Sequence, residues 1–248
     1  MPDLSIEPGG SLVRRAMDAI SAHIAEHRLH VGDPLPGEVH FANSLGVSRA
    51  VMREAFGALA ALKLLDVGNG RRARVGAMDG SVMATSLTHA ISTDQVSVAE
   101  IWDVRRTLER RTAALAAANR TDAEAARIVA LAEAMASETS DLPQITRHDI
   151  EFHETIARAG RNALFLQIVQ SFGPLMQIAV PAAWRTRTAM NQRQIMIDRH
   201  RAIAAAIAAR DEAGASAAME AHFHVAIGSV LLVANRVEPG SQVIGSSA

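Results

Sequence analysis

Apolar residues recur at three- and four-residue spacing along almost the whole of this chain, and few other features restrict a fold so tightly. Alanine, leucine and isoleucine carry the pattern, while aromatic residues make up only 3% of 248 residues. A mainly α-helical protein is expected. With 49% hydrophobic and 21% charged residues, a packed core is feasible and wholesale disorder is not expected. Cysteine is absent. That removes disulfides and thiolate metal sites and leaves histidine, carboxylate and water as metal donors. The N-terminus shows no basic segment followed by an apolar run. The longest near-apolar stretch, Val225 to Ala234, is interrupted by Gly228 and Ser229 and falls short of the ~20 residues a bilayer requires. A soluble, cytoplasmic protein is the expectation.

Punctuation divides the helical pattern. Leu12, Val13, Ala16, Met17, Ile20 and Ile24 form one amphipathic face, with Ser11 as N-cap. The turn-rich residues 31–37 end that helix. A short helix over 38–44 leads through Leu45-Gly46-Val47 into a longer helix capped by Ser48 and running to about Leu62. Val51, Ala55, Ala58, Leu59 and Leu62 are placed on its packing side. Two short runs, Leu64–Val67 and Arg71–Val75, flank Gly68-Asn69-Gly70, a hairpin signal. Residues 8–76 are therefore expected to form a winged helix-turn-helix of three helices plus a small β-hairpin. Residues 77–96 read as a linker with a possible short helix near 81–90.

Beyond it, Ser97–Glu100 and Thr121–Glu124 are capping boxes, and Asp141 with Pro143 starts another helix. Gly160 ends that helix and Asn162 caps the next, while Pro174 and Pro181 are expected to kink or break the stretch after it. Two last helices are read over about 191–210 and 213–235. Residues 97–235 should form an all-α antiparallel helical bundle, with 236–248 a disordered tail. No internal repeat is found.

The net charge of −1 says nothing of nucleic acid, but its distribution does. Residues 44–76 hold Arg49, Arg53, Lys63, Arg71, Arg72 and Arg74 against only Glu54 and Asp66. Such a patch alone reads as a solvated surface. Combined with a helix-turn-helix and a wing, it reads as a DNA-binding face. Arg49 and Arg53, four apart, share one face of the second helix, whose N-terminal residues enter the major groove in this motif. Arginine can grip guanine with two parallel hydrogen bonds. Ser48 at the helix start suits a phosphate, and Arg71, Arg72 and Arg74 suit the backbone or a minor groove.

Pro34-Leu35-Pro36-x-Glu38, Leu45-Gly46-Val47-Ser48-Arg49 and Arg53-Glu54-Ala55 resemble the N-terminal domain of GntR-family bacterial regulators. The resemblance covers about residues 11–75 and implies that Arg49 and Arg53 contact DNA. Val39 stands where a basic residue is usual, and Gly57 loosens the recognition helix by up to ~1 kcal/mol relative to alanine.

The second half carries polar residues on apolar stripes. Asp149 and His153 share the face of Ile145, Phe152 and Ile156. His200 lies among Met196, Ile203, Ala204 and Ile207, and His222 among Met219, Phe223, Ala226 and Val230. Each histidine alone reads as a satisfied core residue. Four inward polar groups from three helices are more cheaply satisfied together around one metal ion, with zinc, nickel, iron or manganese suited to imidazole and carboxylate. His148 and His224 point elsewhere, and His23, His27, His30 and His40 show no ligand spacing. Arg105 shares the face of Val98, Ile101, Leu108, Thr112 and Leu115. A buried guanidinium needs an anion, either Glu109 one turn on or a bound carboxylate that also touches the metal; the second is favoured. No glutamate is placed near the cluster, since Glu151 and Glu154 point away.

Asp149-x-x-x-His153 with Phe152, Ala159-Gly160-x-Asn162, His200-Arg201-x-Ile203 and Ala218-Met219-x-x-His222 resemble the FCD sensor domain of the FadR-like GntR subgroup, as does Asp103-Val104-Arg105-x-x-Leu108-Glu109. The resemblance then covers about 11–234 and implies that Asp149, His153, His200 and His222 bind a metal beside a small organic acid. At Arg210-Asp211 a glycine commonly precedes the aspartate. The expected function is a ligand-controlled repressor or activator, a homodimer on a palindromic operator, and not an enzyme. Arg105 is expected to bind the acid. A metal-responsive regulator is the alternative, and a metal-dependent hydrolase a remoter one.

Overall fold

The computed structural model describes residues 11–68, 70–137, 141–186 and 190–234, with residues 186, 190–191 and 225–234 described by backbone course alone. The chain divides into two compact units between Val82 and Met83.

In the first unit, α1 (Leu12–Glu26) starts where the Ser11 side chain accepts the Arg14 amide. Ala16 and Ile20 bury its apolar face against α3 (Arg49–Ala61). Between them, α2 (Glu38–Leu45) ends at Gly46, whose φ of 65° is the left-handed conformation that glycine adopts without penalty. The buried face of α3 is Met52, Ala55, Phe56 and Leu59. Leu62, expected on that face, is 46% exposed, because the helix ends at Ala61 and the chain turns away.

The wing is a two-stranded antiparallel sheet of β1 (Leu65–Asp66) and β2 (Arg74–Val75). The segment 32–35, whose sequence signals only a turn, runs along the free edge of β2. Leu35 donates to Ala73 O at 2.8 Å, Val75 to Asp33 O at 2.9 Å and Gly32 to Val75 O at 2.9 Å. These bonds supply β2 with partners on its second edge and fix the wing to the unit's core. Gly76 closes the sheet, and a Cβ there would fall 2.2 Å from Lys63 O, so no other residue fits without moving backbone. The chain continues into α4 (Ser81–Ser92).

After α4, most of which falls in the second unit, the regular structure of that unit's described residues is all helix: α5 (Val98–Asn119), α6 (Asp122–Ser137), α7 (Leu142–Ala159), α8 (Ala163–Ser171), α9 (Gly173–Thr186), α10 (Met190–Ala208) and α11 (Glu212–Ala234). The expected caps are in place. Ser97 and Glu100 complete a reciprocal capping box, Thr121 and Glu124 do the same, and Asp141 and Asn162 cap α7 and α8. Pro174 sits in the first turn of α9, after a 54° bend from α8. Pro181 does not break the helix but lies inside α9. One core joins α5 to α11 except α8, centred on Trp102, Ile128, Leu131, Phe152, Ile156, Ile203, Ile207, Met219 and Phe223. Ala226 and Val230 lie outside the residues whose side chains are described, and the tail from 236 lies outside the described residues altogether.

At one end of this bundle two helices cap each other. Arg120, after α5, donates to the carbonyls of Ile207 and Ala208 at the end of α10, and Arg210, after α10, donates to Ala118 O and Arg120 O, both at 3.1 Å. Arg210 has φ 58°, in the left-handed region that glycine alone adopts without strain. Its side-chain bonds to two terminal carbonyls compensate for the backbone cost.

Candidate functional site

The helical unit gathers its buried ionisable side chains, Arg105, Glu109, His153, His200 and His222, in one place. His153 on α7, His200 on α10 and His222 on α11 are each 3–4% exposed, and one ligand atom from each lies within 4.8 Å of the others. Helical phase brings them there, since Phe152, Ile156, Ile203, Ile207, Met219 and Phe223 bury the same sides of those helices. Asp149, a turn before His153, stands at the edge of the set with Oδ1 3.2 Å from His200 Nε2. Burial by itself would raise its carboxyl. The hydrogen bond from His200 and the surrounding imidazoles outweigh that and hold it well below the ordinary carboxylate range. Burial pushes the His222 imidazole well below its usual value, and the neighbouring His200 and His153 add to the effect. His222 Nδ1 is buried without a hydrogen-bond partner among the described residues.

Such a set fits a divalent transition metal. It offers neutral imidazole and carboxylate and no thiolate, and two donors at ~2.1 Å from one ion lie at most ~4.2 Å apart, close to the spread of these nitrogens. Both nitrogens of His200 face acceptors, Nδ1 the Met196 carbonyl at 2.9 Å and Nε2 the Asp149 carboxylate at 3.2 Å; a neutral imidazole donates to only one of them, so with the proton on Nδ1 the Nε2 lone pair and the carboxylate would share a cation.

Beside the histidines is a cavity of about 40 Å³, lined by Trp102, Arg105, Asp149, His153, His200 and His222 together with apolar residues of α9 and α10. Arg105 is buried, 3% exposed, and boxed by the rings of Trp102, Phe172 and Phe223 with its guanidinium carbon 5.1–5.8 Å from their centres. Its Nε donates to Glu109 Oε1 at 2.8 Å, so the internal partner less favoured on sequence grounds is present. Its Nη1 abuts the Met176 thioether, a weak acceptor for a charged donor. Trp102 Nε1 is buried without a partner among the described residues. The expectation that no glutamate lies near the cluster is overturned. Glu109 is 1% exposed, with its second oxygen against His153 Nδ1. Desolvation would raise its carboxyl, but the adjoining Arg105 and His153 hold it below its ordinary value. The sequence carries a signal for it: Ile101, Arg105, Glu109, Thr112 and Ala116 follow helical spacing and are all buried, whereas Leu108 and Leu115 are only partly so.

In the first unit, Ser48 accepts the Val51 amide and opens α3, and Arg49 and Arg53 stand exposed on it. Neither forms an ion pair with a described residue. The wing arginines differ among themselves. Arg71 makes a two-pronged pair with Asp66 at 2.7 and 2.9 Å, and Arg74 donates to Gly32 O at 2.6 Å. Arg72 is exposed and forms no ion pair with a described residue.

A winged helix-turn-helix with exposed arginines on its second helix, followed by a helical unit with a small polar cavity, has the make-up of a DNA-binding regulator. Comparison with known proteins agrees. Residues 12–75 match the model for bacterial regulatory proteins of the gntR family, and residues 100–225 match the FCD domain, so the chain belongs to the GntR family with an FCD domain. It is 31% identical over 190 residues to the Glc operon transcriptional activator of Escherichia coli K12, covering 75% of each chain. To LutR of Bacillus subtilis it is 28% identical over 201 residues, covering 80% of this chain and 92% of that one. A solved GntR structure from Streptococcus agalactiae superimposes with a TM-score of 0.64 at 25% identity, covering 88% of this chain and 99% of its own. These relatives are transcriptional regulators, not enzymes, and the chain is a DNA-binding transcriptional regulator. Among the described residues no single helix is long and apolar enough to cross a membrane.

Proposed function

We propose that this regulator binds its operator through Ser48, Arg49, Arg53 and the wing, and that a divalent transition metal such as zinc and a small organic acid occupy the helical unit. The observation that carries the reading is the gathering of three buried imidazoles next to a cavity whose other wall is the buried Arg105. His222 Nδ1 is buried without a hydrogen-bond partner among the described residues, a cost that a ligand gathering the imidazoles would offset. His153, His200 and His222 would hold the ion, with Asp149 beside them. A bound cation supplies positive charge across the cavity from Arg105.

The chain's own groups favour an anion. Arg105 keeps one guanidinium arm against a thioether, and Trp102 offers an unused N–H. A cavity of about 40 Å³ takes a few water-sized volumes of ~10–15 Å³ each, and so a compact acid rather than a long chain. One relative, 30% identical over 217 residues, is named a putative L-lactate dehydrogenase operon regulatory protein of Escherichia coli, and lactate is an acid of this compact kind. Two-fold pairing of the chain would present two recognition helices to a palindromic operator. The acid controls operator binding only to the extent that it binds one DNA-binding state better than the other.

The test is direct. Trp102 and Trp184 are the chain's only tryptophans, and both line the cavity. Titrating metal-loaded protein with a panel of small organic acids should change tryptophan emission and shift operator affinity for at least one acid. A protein that holds no divalent ion by elemental analysis, or whose emission and operator binding ignore the whole panel, refutes the reading. Operator binding that responds to zinc and chelator but to no acid would instead make the ion itself the effector.

A further inference from the structure

Glu109 divides its two oxygens between different partners. Oε1 accepts from Arg105 Nε at 2.8 Å, and Oε2 lies against His153 Nδ1. All three side chains are at most 4% exposed. Neutralising Arg105 needs only one of those oxygens, so the second contact serves something else. Oε2 and Nδ1 are in ion-pair contact without hydrogen-bond alignment; because a carboxylate accepts only, a bond closed across that contact would put the His153 proton on Nδ1 and leave Nε2 its lone pair. The Met196 carbonyl stands behind His200 Nδ1 in a comparable way, at 2.9 Å. His222 Nδ1 has neither a hydrogen-bond nor an ion-pair partner among the described residues.

We propose that Glu109 is a positioning residue that sets the tautomer and ring direction of His153 and ties that ligand to Arg105, so that the metal-binding and anion-binding walls of the cavity move as one. This rests on the metal reading above. An acceptor behind a ligating histidine fixes the ring and raises its basicity, and loss of such an acceptor weakens metal binding ~10–100-fold. Because the same carboxylate holds Arg105, an anion that draws the guanidinium toward itself pulls on the carboxylate and thereby on His153. Metal and anion affinities are then linked, each changing the other by the same factor.

The experiment measures zinc affinity of the full chain by competition with a chromophoric chelator, for wild type and Glu109→Gln. The amide keeps the shape but cannot serve both partners as an anionic acceptor. Zinc binding should weaken ~10–100-fold; affinity within twofold of wild type overturns the proposal. Should the variant fail to fold, nitrogen-15 NMR of the histidines in zinc-loaded wild type decides. His153 protonated at Nδ1 and bound through Nε2 supports the proposal, and His153 bound through Nδ1 overturns it. A wild-type chain that takes up no zinc overturns both the metal reading and this one, whereas uptake unaffected by Glu109→Gln overturns this one alone.

Discussion

Arg71 and Arg72 adjoin in sequence, yet only Arg72 is free to meet a phosphate, because Asp66 holds both prongs of Arg71. Charge counting over residues 44–76 treats the two alike, and only the hairpin register separates them. Arg49→Ala and Arg53→Ala are expected to cut operator affinity by ~1–3 kcal/mol each, and Arg72→Ala to flatten the salt dependence by about one phosphate contact. Arg71→Ala should do less; gel-shift titrations at several salt concentrations rank the four. In the helical unit, acid should destabilise metal-free protein. His222 has a folded-state value below the 6.5 of a free imidazole, so below 6.5 the unfolded chain takes up a proton that the folded chain refuses, and stability falls with pH. Asp149 and Glu109 are depressed carboxylates, so their contribution is fully present above their ordinary values of 3.8 and 4.5 and is lost only as pH falls from there through the lower folded-state values. Tryptophan-detected melting in chelator from pH 7.5 to 4 should show a steady decline, and a flat profile would contradict these assignments.

At the level of elements, helix starts are the most legible part of the chain. Ser11, Ser48, Ser97, Thr121, Asp141 and Asn162 all cap as their patterns predict, because capping is local chemistry. Inward polar residues on α7, α10 and α11 are equally readable, since each interrupts an apolar stripe. Non-local pairings escape such reading. The strand-like course of 32–35 depends on β2 some forty residues on, and the burial of Glu109 depends on choosing between two apolar lines on α5 that sequence spacing supports almost equally. Pro181 stays within α9 although proline in a helix interior costs ~3 kcal/mol, which packing of Met176, Ala179, Ala183 and Trp184 must offset. Gly57 in α3 is the opposite case: it is exposed, and a Cβ there meets nothing within 4 Å. Gly57→Ala should stabilise the DNA-binding unit by ~0.4–1 kcal/mol, read as a rise of several degrees in its melting temperature.

For the molecule as a whole, the two units have separate hydrophobic cores, and the only tryptophans belong to the helical one. Their emission therefore reports on that unit alone. Saturating zinc at a thousandfold excess over its dissociation constant should add ~4 kcal/mol to it. The matching observation is a higher midpoint by tryptophan fluorescence, reversed by chelator. An unmoved midpoint would count against bound metal in the native state.

The crossed arginines after α5 and α10 bear on how a signal can travel. Arg120 and Arg210 clamp the C-terminal ends of those two helices to each other, so that end of α5 acts as a fulcrum. Trp102 and Arg105 sit near the opposite end, within two turns of Ser97. A rigid rod pinned at one end swings most at the other. A shift of Arg105 would therefore be expressed at the N-terminal end of α5 rather than at the clamped one.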